Sequence, residues 1–174
     1  DKLKGEGFFL ACLRKPGETD TVKYRIKNKP AKLDKKEEAV LNKWVQTEGL
    51  LFIRNEQTVY SWPSNHSDDF NLLLNQLKVI YSGTIIGELI RDKLIPDHAL
   101  ALSTLINKTI QQVPLTYEEA IEYLQRKEMS KEILIKGWQI VSYLGQNLGW
   151  VNVLPNRINN YYPKELRILK DKPA

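Results

Sequence analysis

The sequence predicts an α+β protein, and three observations carry that class. Two helix starts are written as capping boxes, Asp34 with Glu37 and Thr116 with Glu119. Several short apolar or β-branched runs lie between turn residues, as strands do. Strand and helix signals also fail to alternate regularly, which argues against a parallel sheet built from βαβ units.

Taken in order, Phe8 to Leu13 form a continuous apolar run, and residues 5–14 read as one buried strand. Residues 15–33 are basic, hold two prolines and a glycine, and read as a linker with no partner strand in it. Helix one is expected from the Asp34 cap to Gly49, with Val40, Leu41, Trp44 and Val45 as its stripe. Leu50–Arg54 and Thr58–Trp62 form a hairpin around Asn55-Glu56-Gln57. A helix from Asp68 to about Gln76 carries Phe70, Leu73, Leu74 and Leu77 at helical spacing. Short strands are expected at Val79–Tyr81, Ile85–Glu88 and Arg91–Leu94. Pro96-Asp97 starts a helix expected to run to about Thr109, with Leu100, Leu105 and Ile106 buried. Thr116 starts the last helix, whose Tyr117, Ala120, Ile121 and Leu124 follow the i, i+3, i+4, i+7 pattern. Gly137–Leu144 and Leu148–Leu154 read as two strands joined through Gly145 to Asn147.

The 174 residues suffice for one domain or two small ones, and 42% hydrophobic with 27% charged is ordinary for a globular chain. No apolar run approaches the roughly 20 residues of a membrane span, and no signal peptide is visible. The single cysteine, Cys12, excludes an internal disulfide and fits a reducing compartment, so the expected location is cytoplasmic. The net charge of +5 is unevenly spread. Residues 1–36 hold eleven Lys/Arg against five Asp/Glu, residues 37–148 ten against fourteen, and residues 149–174 five against two. Basic ends around an acidic middle favour a polyanion at a local patch.

Catalytic constellations fail in turn. Gly5-x-Gly7 precedes a strand and not a helix, so it is no dinucleotide fingerprint. His66 and His98 lack ligand-like neighbours at zinc spacing. Cys12 sits among apolar residues, where a thiol is inert. Asp68-Asp69 and Glu118-Glu119 are explained by helix starts, where carboxylates favour the dipole. Trp44, Trp62, Trp138 and Trp150 all fall in or beside apolar runs and read as core. What remains is the stretch after the last hairpin, where Arg157, Lys164 and Arg167 interleave with Asn159, Asn160, Tyr161 and Tyr162. Cations, amides and aromatic faces together hold phosphates, base edges and stacked bases. Turn formation is the plain alternative for Asn159-Asn160, and edge packing the favoured one for Tyr162.

Three stretches together resemble a known family. Gly5-Glu-Gly-Phe-Phe-Leu-Ala-Cys-Leu-Arg-Lys15 is similar to the last catalytic-domain strand of the Fmu/Sun-type RNA cytosine-5 methyltransferases. Gly87-Glu-Leu with Pro96-Asp-His-Ala-Leu-Ala-Leu-Ser103 resembles the first C-terminal module of their RsmF-like branch. Val113-Pro-Leu-Thr-Tyr-Glu-Glu-Ala-Ile-Glu-Tyr-Leu124, Gly145-Gln-Asn-Leu-Gly-Trp150 and Arg157-Ile-Asn-Asn-Tyr-Tyr-Pro-Lys-Glu-Leu-Arg167 resemble its PUA-like RNA-binding module. The resemblance implies residues 1–15 as the end of a catalytic sheet, 16–33 as linker, 34–110 as a first α+β module, and 111–174 as a PUA-like β-barrel with a flanking helix. It implies a parent that methylates ribosomal RNA with S-adenosylmethionine, whose cofactor site and catalytic cysteines lie upstream of this chain. Cys12 matches neither cysteine motif. The fragment would bind no cofactor and catalyse nothing. Its expected partners are RNA, ribosomal above all, and the parent's own catalytic domain. Arg157, Lys164 and Arg167 would hold phosphate, and Asn159, Asn160 and Tyr161 would contact sugar or base. Segment 7–14, cut from its sheet, would carry an unsatisfied edge and is expected to pair with another copy, to pack on the C-terminal modules or to be poorly ordered. The second reading is a structural or protein-interaction module that supports the catalytic domain or ribosome assembly.

Overall fold

The computed structural model describes residues 33–78, 82–129 and 135–170, together with Ala11, Leu13, Pro16, Gly17, Lys131 and Ile133. Most of the expected strand 5–14, most of the linker and the expected strand Val79–Tyr81 lie outside them; Ala11 and Leu13, the described residues of the first, are exposed and not in a strand. The described residues form a mixed α+β fold with two four-stranded sheets, ordered β1-β2-β3-β4 and β5-β6-β7-β8.

The first sheet is an antiparallel meander of β1 (Leu50–Asn55), β2 (Thr58–Pro63), β3 (Thr84–Ile90) and β4 (Lys93–Pro96). Ahead of it, α1 (Lys35–Leu41) begins at the expected capping box. The Asp34 carboxylate accepts from the Lys36 and Glu37 amides, and the Glu37 carboxylate accepts from the Asp34 amide. The helix stops well short of Gly49 because tertiary pairing claims the next residues. The Gln46 amide donates to the Leu105 carbonyl, the Asn107 amide donates to Trp44, and Val45 bridges Ile106. After β2, α2 (Ser67–Gln76) buries only Phe70, whose ring meets Trp62 at 4.5 Å between centroids. Of the rest of the expected stripe, Leu74 is half-buried, while Leu73 and Leu77 stay open at 42% and 59% exposure.

The helix expected over 96–109 is confined to α3 (His98–Leu102). Asp97 caps it by accepting from the Ala99 amide at 2.7 Å. Ser103 ends it: its hydroxyl donates to the Leu100 carbonyl and accepts from the Leu105 amide, the competition by which serine closes helices. Beyond α3, β5 (Gln112–Pro114) pairs parallel to β6 (Gly137–Tyr143), and β6, β7 (Gln146–Val153) and β8 (Ile158–Asn160) run antiparallel. The β6–β7 turn is Leu144-Gly145, both left-handed at φ 48° and 77°, one residue earlier than expected. That is the two-residue geometry matching strand twist. Strands β5 and β8 fall in stretches expected to be non-strand. The expected closed barrel is not seen among the described residues, because the three-residue strands β5 and β8 end the second sheet as separate edges.

The second sheet is buried on both faces. Ile140 and Trp150, paired across β6 and β7, face a core with Leu41, Val45, Val59, Ile86, Leu89 and Leu100. Val141, Val151 and Val153 face the other way, onto Ala120 and Tyr123 of α4 (Tyr117–Leu124). This double burial explains why 137–144 reads as unbroken strand composition. Short α3 joins the sheets: the Trp150 indole donates to the Asp97 carbonyl at 2.8 Å, and the Asn147 amide group donates to Ala101 at 2.9 Å. Both sheets use the same bulge. Register shifts at Val59/Tyr60 and at Val141/Ser142, and opposite each lies a glycine at φ 151°, Gly87 or Gly149.

Candidate nucleic-acid interface

A groove of about 560 Å³ opens between the exit of α4 and the end of β8. One wall is Arg126, Lys127 and Glu128; the other runs from Ile158 through Asn159, Asn160, Tyr161 and Tyr162 to Pro163.

The first wall is shaped by how α4 ends. The helix starts at the second capping box, with the Thr116 hydroxyl accepting from Glu119 and the Glu119 carboxylate accepting from the Thr116 amide. It finishes in a Schellman motif: the Arg126 amide donates to the Tyr123 carbonyl at 3.0 Å and the Lys127 amide to Glu122 at 2.9 Å. That motif requires a left-handed residue, normally glycine, yet Arg126 occupies it at φ 59°. Cations are also favoured here by the negative end of the helix dipole.

The second wall rests on the buried Tyr123. Its hydroxyl donates to the Trp150 carbonyl at 3.1 Å, and its carbonyl accepts from the Asn160 amide group at 2.8 Å. The Asn160 side-chain oxygen in turn accepts from the Tyr162 amide at 2.9 Å. Both ends of this side chain therefore serve the fold. Tyr162 packs edge-on to Tyr123 and to His98, with centroids 5.5 and 5.3 Å away. Burial holds the His98 imidazole below its ordinary value, against the opposing charges of Asp97 and Glu165. Burial, with the neighbouring Tyr162, raises the Tyr123 phenol, so it stays a neutral donor.

Tyr161 is 38% exposed, and its ring meets Trp138 at 4.3 Å. That contact is T-shaped, and Trp138 in turn packs edge-on against Trp44 and Trp150, so the ring is held by an aromatic cluster on the Trp150 side of the sheet. Such backing fixes a ring before any ligand arrives.

Of the six residues singled out in the sequence, Asn159, Asn160 and Tyr161 line the groove. Arg157 is exposed in the β7–β8 turn, where its carbonyl accepts from the Leu154 amide. Lys164 lies in the 3₁₀ turn Lys164–Leu166, and Arg167 follows it. These three do not line the groove. The chain after them is tied to the end of α4, the Ile168 amide donating to Leu124 and the Gln125 amide group to Lys170. Arg167 and Lys170 thus enter the same end of the fold as Arg126 and Lys127. Arg126, Lys127 and Glu128 were missed. The available signal was a basic pair directly after a capped helix, with no glycine to mark its end.

Fold and groove together define a two-sheet α+β chain whose residues 111–168 match the family model described as the methyltransferase RsmF PUA domain. Over nearly its whole length the chain is similar to curated proteins named ribosomal RNA small subunit methyltransferase F. It is 27% identical to that of Shewanella piezotolerans over 97% of this chain and 36% of the relative. It is also 27% identical to that of Vibrio parahaemolyticus over 96% of this chain and 37% of the relative. The chain therefore spans about a third of the length of these relatives. The resemblance to RsmF-like enzymes and to their PUA domain holds.

Proposed function

We propose that this chain is the RNA-binding, substrate-positioning C-terminal region of an S-adenosylmethionine-dependent methyltransferase that modifies cytosine C5 in ribosomal RNA. The observation supporting this reading is that the segment matching a methyltransferase PUA domain also forms one wall pair of cations, amides and a backed tyrosine. In this reading the β5–β8 sheet with α4 stands for the PUA-like barrel and its flanking helix, and residues 34–110 for the first C-terminal module. The cofactor and the reacting cysteines belong to the parent's catalytic domain, so the chain itself catalyses nothing. Arg126, Arg157, Lys164 and Arg167 hold phosphates. Asn159 and Tyr161 meet sugar or base, while Asn160 positions the wall.

Binding of the chain to small-subunit ribosomal RNA fragments, titrated with salt, tests the reading. Arg157→Ala with Lys164→Ala should flatten the log–log salt slope by about 1–2, at roughly 0.7–0.9 per phosphate contact. An unchanged slope would put the phosphate contacts elsewhere. The protein-interaction reading rests on the open leucines of α2 and gains if no RNA is bound even at low salt.

A further inference from the structure

The second sheet is covered on its Trp150 face only part of the way along. Ile140 and Trp150, opposite one another on β6 and β7, are fully buried in the core shared with the first sheet. Two residues further on, Trp138, Asn152 and Asn159 stand opposite one another across β6, β7 and β8, and all three are half-buried. Opposite residues share a face, and alternation puts this row on the Trp150 face. The Tyr161 amide continues the ladder by donating to the Trp150 carbonyl at 3.1 Å, so its side chain joins the same face. Its ring contact with Trp138 agrees with that placement. Two aromatic rings and two amides therefore lie together where cover by the first sheet ends.

The fold does not use the polar groups of this row. The side-chain amides of Asn107, Asn147 and Asn160 each donate to a backbone carbonyl, and the Trp150 indole donates to Asp97. Among the described residues, the Asn152 and Asn159 amides and the Trp138 indole N–H have no such partner. Free amides beside aromatic rings suit a ligand that is flat and edged with neutral donors and acceptors. Nucleobases have that chemistry, and the ribose 2′-hydroxyl adds one more donor and acceptor. An apolar peptide segment would leave both amides unpaired. Charge supplies the second argument. Arg157 is exposed one residue ahead of β8, and residues 149–174 hold five Lys/Arg against two Asp/Glu, which complements a polyanion.

We propose that this open end of the sheet face takes a single-stranded stretch of the RNA, one base lying against Tyr161 and Trp138 and its edge or sugar meeting Asn152 and Asn159. Trp138 and Asn152 are thus binding residues, and this inference rests on the RNA-binding reading above. The strand must be unpaired, because a base inside a duplex has both its ring faces and its pairing edge occupied.

The test uses the whole chain with a fluorescent single-stranded RNA nonamer of mixed sequence and with the blunt duplex formed from it. Wild type should hold the single strand about tenfold more tightly than the duplex, as the stacking of one base allows. Tyr161→Leu should weaken the single strand about tenfold, and Tyr161→Phe, which keeps an aromatic ring, should restore wild-type affinity. Asn152→Ala should weaken it about threefold, the loss of one neutral hydrogen bond. Neither loss should change the salt slope, because no charge is removed. Circular dichroism melts check that the variants are folded; Asn152→Ala breaks no hydrogen bond among the described residues and should melt with wild type. Equal affinity for single strand and duplex, or unchanged affinity in either Tyr161→Leu or Asn152→Ala, overturns the sheet-face inference and leaves the RNA reading standing. Binding of no RNA at low salt overturns both.

Discussion

The Tyr123 hydroxyl donates to the Trp150 carbonyl at 3.1 Å, and this bond is possible only because residue 149 has no side chain. A Cβ on Gly149 would collide with that hydroxyl and crowd His98 Nδ1, and φ 151° is strained for any L side chain. Gly149→Ala should therefore cost about 3 kcal/mol, from backbone strain plus overpacking. Urea unfolding followed by tryptophan fluorescence measures it, and an unchanged midpoint would refute the close packing. Because the Tyr123 carbonyl also holds Asn160, RNA binding should weaken in the same variant.

Glu119 is held below the usual carboxylate range, first by its hydrogen bond from Lys131 Nζ at 2.9 Å, with the Thr116 amide and the lysine charge adding to it. A depressed carboxyl stabilises the fold above its unfolded value and loses that effect as pH falls through the folded one. Both side chains are 27% exposed, so solvent screening limits the pair to about 0.5 kcal/mol. Lys131→Met should lower stability by that amount at pH 7 and match wild type near pH 2. A constant difference across the range would assign the loss to packing instead.

The capped helices were legible because their signals are local: Asp34/Glu37 and Thr116/Glu119 each satisfy their own backbone. The first hairpin and β6–β7 were legible through composition and turn residues. What escaped was decided at a distance. Trp44 and Val45 look helical by spacing, but Leu105, Ile106 and Asn107 pair with that segment and end α1 early. Ile158 to Asn160 contain no alternation strong enough to mark a strand, and only the neighbouring β7 makes them one. The groove was half legible for the same reason. Asn159 and Tyr161 stand out by type, whereas Arg126 becomes a wall residue only once α4 and β8 are brought side by side.

His98 lies between the two sheets, with Nδ1 buried and unpartnered among the described residues and its ring against Tyr162. The groups facing it are Tyr162, the Tyr123 hydroxyl region at Gly149, and the carboxylates of Asp97 and Glu165. Burial outweighs both carboxylates and lowers its proton affinity in the folded state. The unfolded chain then binds the proton more readily, so this contribution is complete above about pH 6.5 and declines as pH falls below it. His98→Phe should flatten stability between about pH 6.5 and 5 while preserving the edge contact to Tyr162. Thermal melts at stepped pH check it, and a slope identical to wild type would assign the dependence to another group.

Arg126 holds the left-handed position that ends α4, where glycine is the unstrained choice. A non-glycine residue there costs about 1 kcal/mol, partly offset by the greater freedom glycine has in the unfolded chain. Nothing in the Schellman hydrogen bonds calls for an arginine side chain, since both donors are backbone amides. The side chain instead lines the groove. Arg126→Gly should accordingly stabilise the chain by about 0.5 kcal/mol while weakening its affinity for RNA and lowering the salt slope by nearly 1. Opposite signs in stability and binding distinguish a residue kept for its ligand from one kept for its fold. If the glycine variant melts at a lower temperature and binds RNA unchanged, Arg126 serves the helix end alone and the groove has lost its phosphate contact.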